Sequence, residues 1–233
     1  MLKVRRNEQR GRGGADWLES RHSFSFADYY DPAQMGFGPL RVINEDWIAP
    51  DSGFGLHGHK DMEIVTYMID GALRHEDSLG HGGVIESGDV QRMTAGTGIR
   101  HSEINPSADT PAHLLQIWLN PEEAGLAPSY DQLNFSPSVK QGRLQLIVSG
   151  DGREGSLKIH RDADIHASLL EPGDTVRHPI GPDRKAWLQM VAGTVSVNGE
   201  NLAAGDAVAI ENESEITISA DAESEFLLFD MAA

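Results

Sequence analysis

The chain has no cysteine, which removes disulfides, thiolate metal sites and a cysteine nucleophile, so any metal must be held by nitrogen and oxygen donors. Positive charge is also scarce. Nineteen basic residues stand against 36 acidic ones, a net charge of −17, which repels phosphate backbones and anionic membrane surfaces. Neither direct nucleic-acid binding nor membrane association is expected. No apolar run approaches the roughly 20 residues that span a bilayer, and the basic opening MLKVRRNEQRGRGG leads into no apolar segment, so the expected location is the cytoplasm. Sustained helical periodicity is missing. So are a Gly-x-Ser-x-Gly elbow, a phosphate loop and a Gly-x-Gly-x-x-Gly turn between strand and helix; GTGIRH follows a strand-like run but opens no helix. Serine hydrolases and nucleotide enzymes are thereby set aside.

What the chain has in quantity is glycine, 25 of 233 residues, spaced as hairpin turns rather than as a helical bundle would allow. Strand-like runs lie between the turns at 39–48, 62–70, 82–87 and 113–120, then at 143–149, 156–162, 187–199, 206–210, 215–220 and 225–231. The segment PEEAGLAPSYDQLNFSPSVKQG, broken by Pro121, Pro128 and Pro137, reads as a connector. A weak repeat links the halves: VTYMIDGALRH leads on to ESGDVQRM, and LQMVAGTVSVNG leads on to AAGDAVAI. The expected fold is all-β, with two similar modules, residues 1–130 and 131–233. Two modules that cover each other's sheets are compatible with a monomer.

Two short pairs carry the chemistry, His57-Gly58-His59 and His101-Ser102-Glu103. On a strand, residues i and i+2 project from one side, roughly 7 Å apart along the chain, so each pair can close on a single point. If the two strands flank each other, three imidazoles and one carboxylate converge on one divalent ion and leave an octahedral metal two open positions. Iron, nickel, copper, zinc, manganese and cobalt all accept such donors, and iron(II) suits them best where oxygen chemistry is involved. Spacing alone is weak, because with ten histidines a chance His-x-His is expected about 0.4 times. Context strengthens it: GFGLHGH and TAGTGIRHSE each place glycines just before the donors, at bends that aim strand-edge side chains inward.

The other histidines have simpler readings. His22 is expected to be a partly buried residue bonded to backbone, His75 and His81 to be solvated turn residues, and His113 to open a core strand. The second module has no His-x-His; His160, His166 and His178 are scattered. Glu63 follows His59 by four residues and is either a further ligand or a paired carboxylate.

The segments HSFSFADYYDP, GFGPLRVINED, GFGLHGHKDMEIVTYMIDG, MTAGTGIRHSEINP and LQIWLNPEE resemble the pirin family of bicupins across most of residues 20 to 125. The C-terminal half is similar in outline. The resemblance implies two cupin-type (jelly-roll) β-barrels, a mononuclear metal in the N-terminal barrel on His57, His59, His101 and Glu103, and a C-terminal barrel without metal. Cupins in general take a glutamate placed like Glu63, so that residue stays open. Bacterial members are associated with quercetin 2,3-dioxygenase activity, which opens a flavonol with O2 and releases CO. A small planar phenolic substrate is thus implied, with Glu103 as ligand and as acceptor of the flavonol hydroxyl proton, and Phe54, Met93 and Leu115 as candidate wall residues. Animal pirins suggest the alternative, a non-catalytic metal-responsive regulator that works through a protein partner.

Overall fold

Alternating residues between glycine turns fold almost wholly into strands. The computed structural model describes residues 1–232, and among them the helical segments are the short turn Pro137–Lys140 and the 3-10 turns Asn7–Gln9 and Arg153–Gly155. The strands divide between two units, each holding one seven-stranded and one four-stranded sheet. This is the all-β, two-barrel architecture that the repeat and the resemblance implied.

In the first unit the larger sheet runs Ser129–Asn134, Asp89–Thr94, Glu63–Asp70, Ala112–Leu119, Leu40–Ile48, Leu18–His22, Gly11–Ala15; the smaller runs Gly53–His59, Ile99–Ile104, Ala72–Asp77, Gly82–Glu86. In the second unit the larger runs Leu2–Arg5, Ala207–Ile210, Arg184–Ala192, Ser224–Ala232, Ala163–Leu170, Gln145–Ser149, Leu157–Lys158; the smaller runs Thr175–Pro179, Glu215–Ala220, Thr194–Val197, Glu200–Ala203. The two orders correspond strand for strand. The sequence repeat supplies matching turns, with Gly71 (φ 77°) answering Gly193 (φ 73°) in a conformation that favours glycine.

The domain division differs from the expected boundary near residue 130. The first unit is Gly11–Phe135 with Ile159–Arg161; the second takes Met1–Arg10, Ser136–Lys158 and the chain from Asp162 onward. The reason lies in the Gly-Asp of each repeat. Asp89 accepts the Glu86 N–H at 2.9 Å, Gln132 Nε2 at 2.8 Å and Asn134 Nδ2 at 2.7 Å, so the supposed connector is drawn in as the strand Ser129–Asn134. Asp206 accepts the Ala203 N–H at 3.1 Å, the Asn7 N–H at 2.8 Å and Arg6 Nη1 at 2.7 Å, so here the edge strand Leu2–Arg5 comes from the start of the chain. One aspartate in each module thus ties its own hairpin to an edge strand.

In the second unit both sheets share one apolar core, in which Leu188, Val208, Phe226 and Leu228 meet Val176, Val195, Val197, Ile216 and Ile218. Each such fully buried side chain contributes about 1.5–3 kcal/mol. In the first unit the core is in two pieces. Ile48, Met68, Leu73, Ile85, Ala112 and Leu114 form one cluster, with Phe54 packed on it; Ile64, Met93, Ala95 and Ile99 form another, with Trp118 packed on it. Between the residues of these clusters runs a polar row across the larger sheet, Gln91, Thr66, Gln116, Asn44 and His22, paired in register. All five are buried.

Candidate metal centre

The polar row shares its level with the donors of the smaller sheet. Strands Gly53–His59 and Ile99–Ile104 pair antiparallel with His57 directly opposite His101 and His59 opposite Ile99, and the register shifts between His101 and Glu103. The extra residue lies in Gly53–His59, where Gly55 and Leu56 oppose Ser102; His101 and Glu103, two residues apart on the regular partner strand, are both buried, at 2% and 3% exposure. Gly53 (φ 154°) is required where the strands meet, since a Cβ there would lie 2.1 Å from the Glu103 carbonyl oxygen.

His57, His59 and His101 bring their ring centroids within 4.4 to 4.9 Å of one another, and their donor atoms all lie within 4.8 Å. Glu103 forms a second donor group of the same span with His101 and His75. The four expected ligands therefore fall into two overlapping triads joined at His101. His57 Nδ1 lies 2.8 Å from the Gly55 carbonyl oxygen, to which it can only donate, leaving its Nε2 lone pair free. Gln116 Nε2 donates to both Glu103 oxygens at 3.2 Å, and Thr66 Oγ1 donates to Gln116 Oε1 at 3.3 Å.

Electrostatics favour neutral imidazoles. Burial, then the neighbouring His57, lowers the His59 pKa to about 4; burial, then His57, His59 and His75, lowers that of His101 to about 2. Burial raises the Glu103 carboxyl to about 7, with Asp46 adding to the rise and the Gln116 hydrogen bond opposing it. His59 and His101, which refuse protons, offer lone pairs instead. His101 Nε2 is buried without a hydrogen-bond partner, a cost of about 1–3 kcal/mol that a metal bond would remove. The residues therefore fit a divalent cation bound by nitrogen and oxygen.

Several expectations change. Glu63 is fully buried but belongs to neither triad; it accepts from Thr94 Oγ1 at 2.9 Å and pairs with His160 Nδ1 at 3.2 Å. His75 is not a solvated turn residue. It is fully buried, because strand Ala72–Asp77 turns Leu73 and His75 inward together. His22 is buried, with its Nδ1 2.7 Å from Oδ1 of the Asn44 side chain. His81 is exposed, as expected. His113 stacks on Trp47 at 4.4 Å and pairs with Glu45 at 3.0 Å. Leu115 is adjacent to Gln116 and therefore on the opposite face of its strand, which removes it from the wall. Met93 is core, while Phe54 lies 6.1 Å from the His57 ring and Trp118 4.9 Å from that of His59.

Comparison with known proteins agrees with this fold. The sequence profile of the Pirin family matches residues 3–119, and that of the quercetinase C-terminal cupin domain matches residues 146–231. A quercetin 2,3-dioxygenase of Escherichia coli strain K12 is 47% identical over 231 residues, 99% of each chain. A pirin-like protein of Caulobacter vibrioides is 44% identical over 223 residues, 94% of this chain and 96% of that one. The crystal structure of the bacterial pirin YhhW from Escherichia coli in complex with nickel(II) superposes with a TM-score of 0.95 at 47% identity, covering 100% of this chain and 99% of that one.

Proposed function

We propose, from the premise that this chain belongs to the pirin family, that it is a metal-dependent dioxygenase that opens a flavonol such as quercetin with O2 and releases CO. Its ligands are His57, His59, His101 and Glu103, around one divalent metal in the N-terminal barrel. Iron(II) is our choice; nickel(II), held by a related Escherichia coli structure, is the first ion to compare, and copper, zinc, manganese and cobalt suit the same donors. The observation that carries the reading is the convergence of three imidazoles, among them His101 with its buried, unpartnered Nε2.

When bound, the metal supplies the Lewis acidity that brings the flavonol 3-hydroxyl pKa toward neutrality. The remaining steps fall to the chain. An oxygen of Glu103 accepts the hydroxyl proton. Gln116, bonded to both of its oxygens, keeps that carboxylate in place. Phe54 and Trp118, beside His57 and His59, give the planar rings an apolar rest and keep water out. Among the described residues no helix is long and apolar enough to cross a membrane, and we place the enzyme in the cytoplasm, acting as a monomer.

The test is CO release and loss of quercetin by protein loaded separately with iron(II) and nickel(II). Turnover above that of free metal, abolished in His101→Ala, is the expected result. No turnover above free metal with either ion overturns the enzymatic reading and favours a metal-responsive regulator acting through a protein partner.

A further inference from the structure

His75 touches the centre without belonging to the expected ligand set. Its Nδ1 lies 3.3 Å from Nδ1 of His101, and its Nε2 lies 3.6 Å from Oδ2 of Asp77. Tyr130, supplied by the strand Ser129–Asn134, packs on the His75 ring with centroids 4.7 Å apart. Asp77 is itself fixed: Oδ1 accepts the backbone N–H groups of Leu79 at 2.8 Å and His81 at 3.0 Å, and Oδ2 meets His81 Nδ1 at 3.1 Å. The His75 ring is fully buried, so its protons are set by these neighbours rather than by water.

Two nitrogens that face each other at hydrogen-bond distance need one proton between them. If His75 Nδ1 carried it, neutral His75 would turn the lone pair of Nε2 toward the Asp77 carboxylate. His101 would then bear its proton on Nε2 and could not ligate through that atom. If His75 instead carries its proton on Nε2, the N–H points at the carboxylate and His75 Nδ1 becomes an acceptor. His101 must then donate from Nδ1, which frees the Nε2 lone pair. The Asp77 carboxylate, 3.6 Å from His75 Nε2 at ion-pair rather than hydrogen-bond distance, favours a proton on that nitrogen and so the second arrangement, which leaves the buried Nε2 of His101 with a free lone pair.

We propose that His75 is a positioning residue: oriented by Asp77 and Tyr130, it accepts the His101 Nδ1–H and so fixes the tautomer and ring plane in which His101 binds the metal through Nε2. The inference rests on the reading of His101 as a ligand. Hydrogen bonds to the far nitrogen of a ligating histidine typically change metal affinity 10- to 100-fold. Here that support comes from a second imidazole backed by a carboxylate.

The experiment measures Co(II) affinity by chelator competition, together with the visible absorption of the Co(II) protein, for the full chain and its variants. His75→Leu keeps an apolar side chain of similar size but no acceptor, and is expected to bind Co(II) at least tenfold more weakly with an altered spectrum. His75→Asn places an amide oxygen near the position of Nδ1 and should return the affinity to within about threefold of the parent. Asp77→Asn keeps an acceptor for the two backbone N–H groups but loses the charge, and should weaken binding several-fold; it gives the same information should His75→Leu fail to fold. Equal weakening in His75→Leu and His75→Asn, or parent affinity in Asp77→Asn and whichever His75 variant folds, overturns the proposal. His101→Ala separates this from the underlying reading. Parent affinity in His101→Ala brings down the ligand assignment and the proposal together, whereas lost binding there beside unchanged His75 and Asp77 variants brings down the proposal alone.

Discussion

Acid stability offers a test that does not depend on the metal. His166, in strand Ala163–Leu170, pairs in register with Leu228 on one side and Leu146 on the other. Its Nδ1 is buried and unpartnered. Burial first, then His178, lowers its pKa to about 4, with Arg153 acting in the same direction and Asp164 and Asp230 opposing. Those opposing charges are spoken for: Asp230 is paired with His178 at 2.7 Å and Arg184 at 2.6 Å, and Asp164 with Arg153. An unfolded histidine takes its proton near 6.5. Between that pH and about 4, the unfolded chain therefore binds a proton that the folded chain refuses, and stability falls as pH falls. The shift is worth about 2–3 kcal/mol at pH 4.5, and about 2 kcal/mol after allowing for the partial exposure of the ring. The assay is urea unfolding from pH 8 to 4.5 for the parent and His166→Leu, since leucine continues the apolar row. His59 and His101 titrate in the same direction and contribute to both proteins, so the difference in pH slope isolates His166. Identical slopes, or a nuclear magnetic resonance titration placing His166 near 6.5, would refute the reasoning.

Three further outcomes follow from the site and the fold. Nickel(II) at about 100 times its dissociation constant should stabilise the protein by about 2.7 kcal/mol and raise its thermal midpoint by several degrees; a chelator should reverse the rise and His57→Ala should lack it, while a full rise in that variant places the ion elsewhere. Glu103→Gln keeps the side chain's size and an acceptor oxygen, so turnover should drop 100-fold or more while most of the metal content survives; equal loss of both removes the base role. Asp206→Ala deletes two hydrogen bonds to Arg6 and Asn7, just after the first strand, and one to Ala203 in its own hairpin, at about 2–3 kcal/mol, and hydrogen exchange at the amides of Leu2–Arg5 should quicken; unchanged exchange there contradicts the tethering role.

Local period made much of this legible in the sequence. Strands such as Glu63–Asp70 and Glu215–Ala220 fall within a residue of their expected bounds, and the i, i+2 spacing did bring three imidazoles to one point. What escaped depends on partners far away in sequence. Ser129–Asn134 looks like a linker because its strand character comes from pairing with Asp89–Thr94, and Leu2–Arg5 finds its partner some 200 residues later. The run 187–199 reads as one strand but divides at Gly193, and only Leu157–Lys158 of the run 156–162 is a strand. His75 hid among turn residues because a sequence does not say which of two alternating faces is inside.

The correspondence of the two modules explains why chemistry gathers in one of them. Aligned on their glycine turns and Gly-Asp pairs, the polar row Gln91, Thr66, Gln116 and Asn44 is matched by Val208, Leu188, Leu228 and His166, each set joined across its own sheet by the same pairings. On the smaller sheets the positions of His101, Glu103 and His75 are taken by Ile216, Ile218 and Val197. Only His57 keeps a histidine counterpart, His178, and that one is committed to Asp230. His101, Glu103 and His75 in the first barrel thus stand where the second buries an aliphatic side chain worth about 1.5–3 kcal/mol. The first barrel gives up that stabilisation across a whole layer and holds the layer instead by hydrogen bonds among Thr66, Gln116 and Glu103. A single donor introduced into the second barrel would meet no such partners and would stay buried and unpaired. The proposed ligands, their supporting row and the split core therefore belong to one device that cannot be gained or lost a residue at a time. On this argument Ile218→Glu should destabilise the second barrel by several kcal/mol without creating a second metal site. Equilibrium unfolding and metal stoichiometry test it, and a stable variant that binds an added ion would show the supporting row to be dispensable.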